Sequence, residues 1–126
     1  MRVSLPLISR LDPWAPPIAL MGVIFLLSAQ ADLNSGLGTI DLIGRKIIHA
    51  SEYALLCFLW WRGLRTLASP TKAVLIALAI AIGYAGTDEL HQRSVQGRHG
   101  TPVDVLIDAT GAAIAATLIY RRSPPT

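Results

Sequence analysis

The chain has 126 residues, 52% of them hydrophobic and only 15% charged, with a net charge of +3 and a mean hydropathy of +0.50. A water-soluble domain of this size carries roughly 25% charged residues, so the composition argues against one and leaves a soluble helical bundle as the weaker alternative. A nucleic-acid-binding module is excluded because no basic face with stacking aromatics is present, and the single Cys57 excludes an intramolecular disulfide.

Four apolar blocks follow one another along the chain, at 14–31, 47–67, 73–87 and 103–120. A bilayer core takes about 20 apolar residues as helix, with a working range of about 17–25. The first block opens on Trp14 and carries Pro16 and Pro17 in its first turn, where a missing N–H costs little. Arg2, Arg10, the apolar run 18–27 and Ala29-Gln30-Ala31 also have the layout of a secretory signal. The long leader containing Asp12, Pro13, Pro16 and Pro17 favours an uncleaved first helix instead. The second block has full spanning length. The third reaches it only by continuing through Asp88 and Glu89 to His91, and the fourth starts just after Thr101-Pro102. Apolar residues surround these segments instead of forming one stripe, as in helices with an apolar environment on every side. The expected fold is all-α: a polytopic integral membrane protein, one domain over residues 1–126, with transmembrane helices at about 14–31, 47–67, 73–91 and 103–120.

Charge placement sets the expected sidedness. With both termini in the cytoplasm, Arg2, Arg10, Arg62, Arg65, Lys72, Arg121 and Arg122 lie inside and outnumber Arg45, Lys46, Arg93 and Arg98 outside. The positive-inside rule therefore favours an N-in, C-in four-helix arrangement. Trp14, Trp60, Trp61 and Tyr120 fall near helix ends, where amphipathic rings prefer the membrane interface.

The polar residues inside this apolar chain are concentrated at one depth. Lys46, His49, Tyr53 and Cys57 share one face at the start of the second helix, with Glu52 at its edge. On the third helix Tyr84, Asp88, His91 and Gln92 share a face, while Glu89 is turned away by about 100°. On the fourth, Asp104, Asp108, Gly111 and Ala115 lie within about 20° of a common line. Ionisable groups at membrane depth are costly, so they face a bundle interior or a wet cavity and pair with one another. One outward-facing polar pocket is expected.

The order Lys46-x-x-His49-x-x-x-Tyr53, Asp88-Glu89-x-His91-Gln92, Gly97-Arg98 and Asp104-x-x-x-Asp108-x-x-Gly111 resembles the VanZ-like membrane proteins of bacteria. The resemblance covers nearly the whole chain. It implies a small multi-helix protein of the bacterial cytoplasmic (inner) membrane, linked to low-level resistance to the glycopeptide teicoplanin. Gln96 stands before Gly97 where that family often has Pro, and Asp108 stands where Asn is common, adding a negative charge.

The candidate pocket residues are thus Lys46, His49, Glu52, Tyr53, Asp88, Glu89, His91, Gln92, Arg98, Asp104 and Asp108. Several have structural explanations. Lys46 also suits a helix boundary, where its ammonium snorkels to headgroups. Asp104 sits in a helix's first turn, where a carboxylate is favoured, and Asp108, one turn deeper, has no such explanation. Asp88 and Glu89 lie near a helix C-terminus, which disfavours acids, so Lys46, His49 or Arg98 is expected to compensate them. Gly111, Ala112, Ala115 and Ala116 read as packing residues. Three functions fit: binding or transport, with Lys46 and Arg98 gripping the phosphate or carboxylate of an envelope lipid or cell-wall precursor; a membrane enzyme acting on a lipid phosphate ester, with the acids and His49 or His91 holding a cation or serving as base; and an ion-pair network that only locks the helices. Binding ranks first. No nucleophile motif, phosphate loop or zinc-type His-Glu-x-x-His spacing assigns a catalytic residue or a cofactor.

Overall fold

The computed structural model describes residues 13–28, 39–94 and 102–122. These residues form four helices: α1 (Ala15–Ser28), α2 (Thr39–Leu64), α3 (Pro70–Ser94) and α4 (Pro102–Arg122). α2 begins well before residue 47, where its apolar block starts. Residues 39–46 mix Ile40, Leu42 and Ile43 with charged and small residues, so the apolar block is interrupted there although the helix is not. Hydropathy does not register a helix once its sequence turns polar.

The α2–α3 connection shows how local chemistry places the elements. The amides of Leu67 and Ala68 both donate to the Leu64 carbonyl, at 2.9 and 3.0 Å. The Thr66 hydroxyl donates to the Gly63 carbonyl at 2.7 Å. Ser69 then caps α3: its hydroxyl accepts from the Lys72 amide at 3.4 Å, and its carbonyl accepts from the Ala73 amide at 2.9 Å. Pro70 is the first helical residue, with its fixed φ already suited to a helix. As expected, α3 runs on through Asp88 and Glu89 and ends at Ser94, whose hydroxyl donates to the His91 carbonyl.

Neighbouring helices in sequence run in opposite directions. The Trp14 ring of α1 sits 6.0 Å from Trp60 near the end of α2, and Phe25 stacks on His91 near the end of α3. α1 and α3 therefore run one way. Lys46 meets Asp104 and His49 meets Asp108, so α2 and α4 run parallel to each other, the other way. α2 and α4 form the most extensive pairing, α3 packs on both, and α1 lies along α2 and α3. The polar starts of α2 and α4 and the polar end of α3 share one end of the bundle. Arg62, Arg65, Lys72, Arg121 and Arg122 lie toward the other.

The core is made largely of small side chains. Ala73, Ala77, Ala81 and Ala85 repeat every fourth residue on α3 and are buried, as are Ala112 and Ala116 on α4. Small residues let helix backbones approach where packing, instead of water exclusion, holds helices together. The closest approach is at Gly111. A Cβ there would lie 2.7 Å from the Ala50 carbonyl carbon and 2.8 Å from its Cα, and closer still to its oxygen. Glycine is required at that crossing. Tyr53, Leu56, Cys57 and Ile24 fill the remaining core, and the Tyr84 hydroxyl donates to the Met21 carbonyl, tying α1 to α3.

The outside of the bundle is apolar. Ile18, Leu26, Ile43, Ile47, Ile48, Leu55, Leu75, Ile76, Val103, Leu106 and Ile114 are all exposed, while Asp88 and Asp108 are buried. A soluble bundle shows the reverse distribution. Among the described residues, two helices are long and apolar enough to cross a bilayer: Pro70–His91, with 22 residues, and Val103–Arg122, with 20. α1 offers a shorter apolar stretch, Ala15–Leu26. α2 is long, but up to its middle it carries Arg45, Lys46, His49 and Glu52. This inside-out distribution points to a membrane protein.

Candidate functional site

The polar end of the bundle is organised by the Gly111–Ala50 crossing. Because α4 touches α2 at that point, the residues just before it on each helix are brought side by side. His49 precedes Ala50, and Asp108 lies one turn before Gly111. The result is a His49 Nδ1–Asp108 Oδ1 separation of 3.7 Å. A further turn toward the helix starts, Lys46 Nζ reaches Asp104 Oδ1 at 3.4 Å. Both groups of that pair are about one-third exposed, so it forms a rim, whereas Asp108 lies below it with 3% exposure.

α3 contributes the third wall. Its buried alanine stripe continues past Ala85 to Asp88, which is 3% exposed. One ligating atom from each of His49, Asp88 and Asp108 lies within 4.8 Å of the other two. Glu52 Oε2 stands 4.0 Å from His49 Nδ1, at the edge of the cluster. Tyr53 is completely buried on the same face of α2, within the field of Asp88 and Asp108. Asp108 Oδ1 is shielded from solvent and makes no hydrogen bond. Buried polar atoms without partners are uncommon, since each forfeits its hydration without return.

The structure thus brings Lys46, His49, Glu52, Tyr53, Asp88, Asp104 and Asp108 together. Glu89 and His91 go elsewhere. Glu89 makes an ion pair with Arg93 at 2.7 Å, one turn further along α3. That pair accounts for an acid near a helix end without a ligand. His91 turns toward α1, where its ring stacks on Phe25 with 4.1 Å between centroids and an interplanar angle of 3°. The Gln92 side chain and Arg98 lie outside the described residues. The sequence reading assigned no role to Phe25, Ala50 or Tyr84–Met21 bonding. Phe25 sits in an uninterrupted apolar run and looks like any lipid-facing residue.

Residues 14–122, from the first turn before α1 to the end of α4, match the family described as VanZ/LLP1. The chain belongs to the VanZ/LLP1 family. That agrees with the resemblance carried by the ordered Lys46-to-Gly111 motifs, and the matched region contains all four helices and the whole polar cluster. No curated protein and no solved structure matches the chain. VanZ/LLP1 membership and the two helices of spanning length support a membrane protein.

Proposed function

We propose that this VanZ/LLP1 protein spans the bacterial cytoplasmic membrane four times, with both termini inside, and binds the anionic headgroup of an envelope lipid or lipid-linked cell-wall precursor in its polar pocket. Through that ligand it contributes to tolerance of glycopeptides such as teicoplanin. The observation that carries the reading is the Lys46–Asp104 rim pair at 3.4 Å, standing directly above buried Asp108 in a bundle whose outer surface is apolar. An ammonium about one-third exposed at the mouth is available to a phosphate or carboxylate. Asp104 holds it in place until the ligand arrives, and the acids below orient the ligand's donors. A second reading, hydrolysis of a lipid phosphate ester, is favoured by the His49–Asp108 contact, because an imidazole oriented by a carboxylate is a suitable general base for water. Release of inorganic phosphate from a lipid phosphate by the purified protein distinguishes turnover from binding.

Binding is tested with purified protein in detergent by native mass spectrometry, comparing phosphatidylglycerol with phosphatidylcholine. The wild type is expected to retain the anionic lipid preferentially. Hydrogen bonds to a charged group contribute about 1.5–3 kcal/mol, so Lys46→Gln should weaken that retention by roughly tenfold or more. Unchanged anionic-lipid retention in Lys46→Gln would remove the headgroup reading.

Sidedness is tested separately. A reporter active only in the periplasm should be active when fused after Gly97 and inactive when fused after Ser69. The opposite pattern puts the pocket on the cytoplasmic side and rules out an envelope ligand approached from outside.

A further inference from the structure

We propose that the floor of the pocket is a divalent-cation site formed by His49, Asp88 and Asp108, suited to a transition cation such as Zn2+ or Mn2+. This goes beyond headgroup binding and does not depend on it. Three side chains from three different helices bring one imidazole nitrogen and two carboxylate oxygens within 4.8 Å of one another. For a tetrahedral ion with donors at about 2.1 Å, the donors lie roughly 3.4 Å apart. The His49 Nδ1–Asp108 Oδ1 separation of 3.7 Å is already close to that value.

The second, independent observation is the state of the atoms facing the cluster. Asp108 is 3% exposed, and its Oδ1 has no hydrogen-bond partner. A charge-assisted bond from a protonated His49 would bring the two atoms to about 2.7–2.9 Å, and they stand 3.7 Å apart. The simple ion-pair explanation therefore leaves Asp108 unsatisfied. The fully buried Tyr53 lies in the field of the same two acids. A metal ion answers the open Asp108 oxygen, because it takes that oxygen as a ligand and offsets carboxylate charge at the same time.

The donor set selects the class of ion. Imidazole suits zinc and other transition cations, while carboxylates accept Mn2+ equally well. A cage for Ca2+ needs six to eight oxygens. Three protein ligands leave coordination positions open, on the side of Glu52 and the Lys46–Asp104 rim. A phosphate oxygen entering past Lys46 would meet the ion there, so the cation would be shared between the protein and an anionic ligand.

The test uses the untagged full chain in lipid-free detergent, stripped with EDTA and exchanged into chelator-free buffer. Zn2+ is titrated in competition with a chromophoric chelator, and Mn2+ by loss of the free-ion paramagnetic resonance signal. One ion per chain is expected for at least one of the two metals. Asp108→Asn and His49→Gln, both near-isosteric, should weaken binding at least tenfold with helical circular dichroism unchanged. Glu89→Gln, which removes the neighbouring acid paired with Arg93, should stay within threefold of wild type. Co2+ supplies a signature that a purely structural role would not produce: visible absorption bands in the wild type that disappear in Asp108→Asn. Absence of saturable Zn2+ and Mn2+ binding by the wild type overturns the proposal. So does binding by folded Asp108→Asn and His49→Gln that equals the wild type. Since no lipid is present, either result leaves the headgroup reading standing, and loss of lipid retention in Lys46→Gln leaves the cation site standing.

Discussion

Replacing Gly111 by alanine is expected to destabilise the bundle by about 1–3 kcal/mol, the range for overpacking a tight core. The added methyl meets the backbone of Ala50, not the end of a flexible side chain, so neither partner is able to rotate away. α2 and α4 would have to separate by a sizeable fraction of an ångström. The same movement pulls His49 away from Asp108 and Lys46 away from Asp104, because both pairs lie within two turns of the crossing. Thermal unfolding in detergent should show the loss, and lipid and metal binding should fall with it. Ala113→Gly, at a half-buried α4 position facing no such crossing, should cost only the roughly 1 kcal/mol of helix propensity. If Gly111→Ala unfolds at the wild-type temperature, the close crossing is not present in the folded protein.

The double variant Asp88→Asn, Asp108→Asn is expected to be more stable than the wild type when both are measured in EDTA. Two carboxylates within 4.8 Å, at an effective dielectric constant of about 20, repel by roughly 3.5 kcal/mol when both are ionised. Nearby Lys46 offsets part of this, so a gain of about 1–3 kcal/mol is reasonable. Asparagine keeps the size and an oxygen acceptor, so packing around Tyr53 and Ala112 need not change. Added Zn2+ or Mn2+ should then narrow the difference by stabilising only the wild type, which binds the ion in its folded form. A double variant that unfolds earlier than the wild type in EDTA would show that the two carboxylates are structural partners and not a strained binding site.

Much of the pocket is readable in the sequence because helical spacing puts Lys46, His49 and Tyr53, or Asp104 and Asp108, on one face whatever the helix packs against. Glu89 illustrates where that reading stops. It belongs to the same acidic pair as Asp88, but a rotation of about 100° sends it to Arg93 instead of the pocket. His91 has the right residue type and the right depth, and still faces Phe25 on α1. The start of α2 at Thr39 was hidden for a different reason: Asp41, Gly44, Arg45 and Lys46 interrupt the apolar residues there, and a hydropathy pattern marks membrane depth better than helix length.

By itself, the sequence determined that the chain is helical, apolar on nearly all sides and interrupted by ionisable groups at one level. Those are properties of composition and of a 3.6-residue period, and each is complete within a single segment. Only the tertiary structure decided which groups touch. The Lys46–Asp104 and His49–Asp108 pairs join residues far apart in the chain, and their register follows from the depth at which α4 crosses α2. That depth is set by one backbone contact, Gly111 against Ala50, because no other residue type is small enough to let the two helices meet there. A glycine in a helix signals only that some close approach is possible; the partner, and with it the geometry of the pocket, belongs to the packed bundle.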